Sequence, residues 1–126
     1  MGKLLTFLYK WGPCAVIMVL IFIFSSIPEK NIPDLAQSDF VVKKSAHMVG
    51  YCLLALTCWH GLGWDKKKLW LAWLVAILYA FTDEFHQSFV PGRTALLSDV
   101  AIDSISAGVG LFIKQIITKY SFHKLN

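Results

Sequence analysis

Four apolar segments, each about long enough to cross a lipid bilayer, occupy most of this 126-residue chain. A membrane helix needs about 20 mostly apolar residues, and a helix satisfies its own backbone hydrogen bonds where no water is present. The pattern therefore predicts an all-α fold, a bundle of four transmembrane helices that forms a single domain over residues 1–126. The segments comprise residues 8–27, 45–62, 69–82 and 95–117, and the third continues into the polar stretch DEFHQS.

The composition argues against several other classes of protein. Charged residues make up 16% of the chain and hydrophobic residues 56%, whereas a soluble domain carries about 25% charged residues. Disordered chains are charge-rich and apolar-poor, so the chain is not disordered. Three cysteines without a C-x-x-C pair do not make a disulfide scaffold. The net charge of +4 lacks a compact basic patch, so no nucleic-acid partner is predicted.

Lysine and arginine residues are distributed unequally between the two sides of the predicted bundle. Eight of the twelve lie before or at the start of the first segment, join the second to the third, or end and follow the fourth. The positive-inside rule therefore predicts a multi-pass protein of the cell membrane with both termini in the cytoplasm. The loops at residues 28–44 and 90–94 then face outward. The first segment is expected to stay uncleaved, because no A-x-A pattern follows it.

Polar residues from all four segments gather at the outer end of the bundle in this topology. Ionisable side chains at membrane depth normally face a cavity or the bundle interior. A structural salt-bridge network explains such a cluster, and so does a functional site. The number and mixed chemistry of the groups favour the functional site. The cluster comprises Ser25, Ser26, Lys44, His47, Tyr51, Asp83, Glu84, Gln87, Arg93, Asp99 and Asp103, with His86 beside them.

Four short motifs carry most of these residues. The motifs are Ser25-Ser26-x-Pro28, Lys44-x-x-His47-x-x-x-Tyr51, Asp83-Glu84-x-x-Gln87-x-Phe89-x-Pro91-x-Arg93 followed by Ser98-Asp99, and Gly108-x-Gly110. Together they resemble the VanZ-like family of small bacterial membrane proteins, from about residue 24 to residue 110. The D-E-x-x-Q-x-F-x-P-x-R stretch is the most specific part. Two positions depart from the family pattern: Lys43 replaces a frequent acid, and Asp103 replaces a frequent asparagine.

The resemblance implies a link to the bacterial cell envelope. The namesake of the family is associated with low-level resistance to teicoplanin, a lipid-tailed glycopeptide antibiotic. The leading hypothesis is an outward-facing polar pocket that binds or modifies an amphiphile, either a membrane lipid or such a lipoglycopeptide, at the outer leaflet. A hydrolase or transferase, a non-catalytic lipid-binding module and a proton- or ion-linked transporter all remain open. The almost wholly apolar inner half of the bundle counts against transport.

Each polar group is assigned a role in this hypothesis. Lys44 and Arg93 would hold an anionic head group. His47 would act as an acid or base, oriented by Asp83 or Glu84, one of which could instead activate a water. Asp99 would pair with Arg93 or His47. The candidate catalytic residues are His47, Asp83, Glu84 and Asp99. The candidate substrate-binding residues are Ser25, Ser26, Lys44, Tyr51, Gln87, Arg93 and Asp103.

The fourth segment raises two further points. Asp99 and Asp103 lie four residues apart on one helix face, and two buried acids so close rarely both ionise, so we expect them to be energetically coupled. The small residues Ser106 and Gly110 predict close helix packing. No established metal-ligand spacing such as H-E-x-x-H is present, so no metal site is assigned, and the sequence specifies neither a cofactor nor an oligomeric state.

Overall fold

The computed structural model describes residues 2–28 and 37–124, the side chains of residues 37–40 excepted. These ranges contain four long helices, α1 (Lys3–Ser25), α2 (Gln37–Gly61), α3 (Leu69–Gln87) and α4 (Leu97–Lys124). A short 3-10 helix, Lys66–Lys68, precedes α3. Every regular element in the described ranges is helical, which confirms the predicted all-α fold. α2 begins eight residues before the predicted second segment, and α4 ends seven residues after the fourth.

Two of the helices, α1 and α4, are long and apolar enough to cross a membrane by length and composition. α2 and α3 are less apolar over a comparable length, because α2 begins with QSDFVVKK and α3 ends with TDEFHQ. These polar ends lie where the candidate site was predicted. The composition of the helices thus establishes two candidate spans, and a crossing by all four helices remains a prediction.

One face of α1 packs against the rest of the bundle. Its buried residues Cys14, Ile21 and Ser25 are spaced by seven and four positions, the spacing of a single helix face. Elsewhere the surface of α1 is apolar and exposed, for example at Phe7 and Phe24. A helix that is apolar all round suits a lipid environment, whereas it would be costly in water.

A stripe of alanines on α3 lets its neighbours approach closely. Ala72, Ala76 and Ala80 recur every four residues and are at most 1% exposed, so they share one helix face. α2 packs against α1, α3 and α4, and Tyr51 and Leu54 on α2 are completely buried. Towards its C-terminal end, the same face of α3 becomes polar. The change from alanine to polar residues marks where the core ends and the candidate site begins.

α2 approaches α4 closely at Gly110. A Cβ atom at this position would lie 3.1 Å from both Cα and Cβ of Cys52. The Cys52 thiol also donates to the carbonyl oxygen of Ser106, at 2.9 Å between sulfur and oxygen. The close helix packing predicted from Ser106 and Gly110 is confirmed, since no side chain beyond glycine fits without displacing the backbone of α2.

Candidate functional site

A polar cavity of about 200 Å³ lies at one end of the bundle. The C-terminal ends of α1 and α3 meet the N-terminal ends of α2 and α4 there, because these helices are antiparallel neighbours along the chain. Most of the candidate residues line this cavity, together with three that the sequence did not single out as site residues. The lining consists of Lys43, Lys44, His47, Glu84, Gln87, Arg93, Thr94, Leu96, Asp99 and Asp103.

Two acid–base contacts join α2 to α4 across the cavity. Lys44 forms an ion pair with Asp99, and one turn deeper Nδ1 of His47 lies 3.6 Å from Oδ2 of Asp103. The prediction that Asp99 pairs with Arg93 or His47 is therefore wrong. Lys44 lies one turn nearer the start of α2 than His47, so it is level with Asp99, and His47 meets the next acid along α4.

Asp103 therefore contacts His47 and also lies one helical turn from Asp99. An asparagine at position 103 keeps an oxygen that can accept from His47. We expect Asp103→Asn to fold normally, with a thermal unfolding midpoint in detergent close to that of the wild type. Asp99→Asn should lower the midpoint more, because it removes the charge-charge attraction between Asp99 and the half-buried Lys44 ammonium.

Thermal unfolding of the two purified variants in one detergent provides the comparison. The contrary result would be a large loss of folded protein in Asp103→Asn with little change in Asp99→Asn. That outcome would mean that the negative charge of Asp103 is required for folding.

A second, buried cluster links α1 to α3. Oδ2 of Asp83 accepts hydrogen bonds from Oγ of Ser25 at 2.9 Å and from Nε2 of Gln87 at 3.0 Å. All three side chains are at most 4% exposed. Asp83 is thus fixed by Ser25 and Gln87, and the prediction that it orients His47 is not supported by any contact between the two residues. Asp83 lies below the cavity, whereas Gln87 lines the cavity wall.

A tight turn between α3 and α4 positions Arg93. The backbone N–H of Arg93 donates to the carbonyl oxygen of Val90 at 3.1 Å, and Gly92 has φ +80°. Proline at the second position and a positive-φ glycine at the third are the residues that a type II turn requires. The P-x-R part of the motif therefore acts through backbone geometry, since Pro91 and Gly92 direct Arg93 back towards the bundle.

The guanidinium of Arg93 binds the end of α1 as well as the cavity wall. It donates to the carbonyl oxygens of Phe24 at 3.0 Å and Ile27 at 3.3 Å, and to Oε1 of Gln87 at 3.4 Å. A cation is favourable at the C-terminal end of a helix, where carbonyl groups lack helical partners. All three acceptors are neutral, and no carboxylate of the described residues forms an ion pair with Arg93.

Glu84 fixes the beginning of α4. Its Oε1 accepts a hydrogen bond from the backbone N–H of Leu96 at 2.8 Å, and the carbonyl oxygen of Leu96 accepts from the N–H of Asp99 at 2.9 Å. Glu84 lines the cavity, but the acid adjacent to His47 is Asp103. Lys44 and His47 are three residues apart and the two aspartates four apart, so each pair spans about one helical turn. The sequence therefore allowed two contacts at adjacent levels but did not specify which acid meets which base.

Two further candidates lie outside the cavity. Oγ of Ser26 is 2.9 Å from Nε2 of His86, and the ring of His86 stacks on Phe22 with centroids 4.4 Å apart. Tyr51 lies one turn below His47, with their rings stacked and the centroids 6.4 Å apart. The predicted binding role of Ser26 therefore has no support from its position, while Tyr51 is beneath the cavity rather than on its wall.

The cavity residues that the sequence did not single out are Lys43, Thr94 and Leu96. Lys43 and Thr94 are adjacent to Lys44 and Arg93, which was the available signal for these two, whereas Leu96 lies between the Arg93 and Ser98 motifs and had none. Metal binding has little support from this geometry. In the described ranges, no three histidine, cysteine or acidic side chains are grouped so that they could hold a metal ion.

The described residues thus form a helical bundle in which two helices are long and apolar enough to cross a membrane and a polar cavity lies between the helix ends. The chain matches the VanZ/LLP1 family over residues 9–118 and belongs to that family. The resemblance drawn from the motifs is thereby confirmed. No curated protein and no solved structure matches the chain.

Proposed function

We propose that the protein crosses the cell membrane four times and that its polar cavity, open at the outer leaflet, binds the phosphate-bearing head group of a membrane lipid. The observation that carries this proposal is the guanidinium of Arg93 at the cavity wall, whose charge is offset by no carboxylate of the described residues. A guanidinium presents a planar fork that suits phosphate oxygens. Lys43 and Lys44 also line the cavity, and Lys44 is paired there with Asp99.

The size of the cavity favours a head group over a whole antibiotic. Its volume of about 200 Å³ lies below the ~300–1,000 Å³ typical of sites that enclose a drug-sized ligand. A lipoglycopeptide such as teicoplanin would present only one charged group to the cavity and keep its lipid tail in the bilayer. In this proposal, the protein protects the cell by binding either the antibiotic or a lipid that the antibiotic contacts.

Exposed apolar side chains adjoin cavity residues along the chain, as a binding site for an amphiphile requires. Leu96 lines the cavity and is 51% exposed, and Leu97 beside it is 77% exposed. Val41 and Val42 on α2 are also exposed. A lipid with its head group at Arg93 would therefore find apolar side chains on both α2 and α4 for its acyl chains.

The direct test compares lipids with and without phosphate. Purified protein in a neutral detergent is titrated with phosphatidylglycerol and with glucosyl diacylglycerol of the same acyl chains, and bound lipid is counted by native mass spectrometry. We expect the phospholipid to stay bound and to raise the unfolding midpoint, while the glycolipid does neither. Equal retention of the two lipids would contradict the proposal.

The proposed orientation predicts that the N- and C-terminus both lie in the cytoplasm. Lys66, Lys67 and Lys68 join α2 to α3 at the end of the bundle opposite the cavity, and three further lysines follow in the second half of α4. Reporter fusions at each terminus should be active only for a cytoplasmic location. An external signal from either terminus would place the cavity at the inner leaflet or remove one of the four spans.

Catalysis on the bound head group is a second candidate function. The contact between His47 and Asp103 is the observation that favours it, because an acid beside an imidazole orients it for proton transfer. Incubation of the protein with each bound lipid, followed by mass spectrometry of the extracted lipids, would detect a hydrolysed or transferred group. Transport has less support, since the buried polar residues in the described ranges concentrate towards the cavity end of the bundle.

A further inference from the structure

Two buried polar atoms beneath the cavity have no hydrogen-bond partner among the described residues. They are the hydroxyl oxygen of Tyr51 and Oδ1 of Asp83. Tyr51 is 0% exposed and Asp83 is 3% exposed. A polar group buried without a partner is unfavourable, and more so in a membrane, where water does not compensate. A ligand that supplies hydrogen bonds to both atoms would remove this penalty.

Both atoms lie directly below residues of the cavity wall. Tyr51 is one turn deeper than His47 on α2, and Asp83 is one turn deeper than Gln87 on α3. Oδ2 of Asp83 already accepts two hydrogen bonds from Ser25 and Gln87, so the carboxylate is held in one orientation.

A cation and a carboxylate of the site, Arg93 and Asp83, are separated by one side chain. Arg93 has no carboxylate partner and Asp83 has no basic partner among the described residues. A single carboxamide lies between them, since Gln87 accepts from Arg93 through Oε1 and donates to Asp83 through Nε2. Lys44 and Asp99 neutralise each other nearby. Gln87 therefore holds one cation, Arg93, close to one carboxylate, Asp83, beside a cavity that Lys43 and Glu84 also line. A ligand that carries a negative and a positive group matches this pair.

We propose that the head group bound in the cavity is zwitterionic, with its phosphate at Arg93 and a primary ammonium group directed to Asp83 and Tyr51. This inference rests on the proposed function and names the lipid class that it serves. An ammonium group carries three N–H donors, so it can bind Oδ1 of Asp83 and the Tyr51 hydroxyl together. Phosphoethanolamine has this chemistry, with two carbons between the phosphate oxygen and the nitrogen.

The experiment compares three phospholipids with identical acyl chains on the purified full chain. Phosphatidylethanolamine carries an ammonium with N–H donors, phosphatidylcholine carries a cation without them, and phosphatidylglycerol carries hydroxyls without a positive charge. We expect phosphatidylethanolamine to bind about tenfold more tightly than either of the others, as the loss of one hydrogen bond to a charged group predicts. Native mass spectrometry and the shift in unfolding midpoint measure this preference.

Two variants test the residues, and one variant serves as a matched control. Asp83→Asn should reduce the preference for phosphatidylethanolamine to less than threefold, about the level of a neutral hydrogen bond. Tyr51→Phe should unfold at or above the wild-type temperature without lipid, because it removes an unpaired hydroxyl, and yet gain less from phosphatidylethanolamine. The control Tyr79→Phe loses a hydroxyl that is paired with the Met18 carbonyl at 2.6 Å, so it should lower the unfolding midpoint and keep the preference.

The possible outcomes separate this inference from the proposed function. Equal binding of the three phospholipids, each dependent on Arg93, would overturn the zwitterionic head group and leave phosphate binding intact. Binding of none of them would overturn the proposed function itself. A preference for phosphatidylethanolamine that survives in Tyr51→Phe and Asp83→Asn would also overturn the assignment. If Asp83→Asn does not yield folded protein, Tyr51→Phe and its control decide.

Discussion

Gly110→Leu is expected to prevent assembly of the helix bundle. A Cβ atom at this position would already lie 3.1 Å from the Cα and Cβ atoms of Cys52 and 3.3 Å from its carbonyl oxygen. A leucine adds three further carbons at a point where the contact is with backbone, which cannot rotate away. Overpacking costs about 1–3 kcal/mol and occasionally more, and membrane helices depend on small residues for close approach.

Gly12→Leu is the matched control, because no atom lies within 4 Å of a Cβ built at Gly12. This variant should be recovered as a monodisperse species in detergent and unfold near the wild-type temperature. Gly108→Leu should be intermediate, since the nearest atom to its Cβ, at 3.3 Å, belongs to the side chain of Trp73. Recovery of Gly110→Leu at the level of Gly12→Leu would contradict the close contact between α2 and α4.

The helical fold could be predicted from the sequence because apolar length is a local property. The run CAVIMVLIFIF in α1 needs no partner to be recognised as helical and apolar. The start of α2 could not be placed in the same way. The stretch QSDFVVKK is polar and carries no capping pattern, yet it is helical in the structure, and contacts with α4, such as that of Lys44 with Asp99, stabilise it.

The sequence predicted many of the residues of the candidate site, but it did not predict which acid contacts which base. Helix ends that meet at one side of a bundle bring His47, Arg93 and Asp99 to the same cavity, and this follows from topology. Which acid meets which base depends on the register between α2 and α4, and that register is set by contacts such as Gly110 with Cys52. A shift of one turn exchanges Asp99 and Asp103 as the partner of His47. Single-sequence patterns contain no information on this shift.

The hydrogen bonds between Arg93 and the C-terminal end of α1 could not be predicted from the sequence either. The motif presents Arg93 as a cation for an acid or a ligand, and in the structure two of its donors reach backbone carbonyls of α1. Every residue has a backbone carbonyl, so the pattern of side chains does not indicate which carbonyl accepts a hydrogen bond. Arg93 therefore has a structural contribution and a binding contribution, and a useful test must separate the two.

Three conservative substitutions should separate folding from function: Glu84→Gln, His47→Gln and Arg93→Lys. A glutamine at position 84 retains an oxygen that accepts from the Leu96 N–H, and a glutamine at position 47 can donate to Asp103. Both variants should fold normally and lose the cell-envelope phenotype, measured as lipoglycopeptide susceptibility. Arg93→Lys keeps the charge but loses the planar fork, so phospholipid binding should weaken by about tenfold, the effect of one charge-assisted hydrogen bond.

Folded yield in detergent must be measured beside the phenotype for each variant, because a structural ion-pair network predicts a different pattern. In that case function falls only as far as the folded protein falls, since removal of one partner of a buried pair costs about 3–5 kcal/mol of stability. Lys66→Arg provides the charge-conserving control for Arg93→Lys at the opposite end of the bundle, where Lys66 is exposed, and should change neither quantity. A normal folded yield with a lost phenotype would assign the function to the cavity. A proportional decline of folded yield and phenotype would mean that the polar cluster only stabilises the contacts between the helix ends.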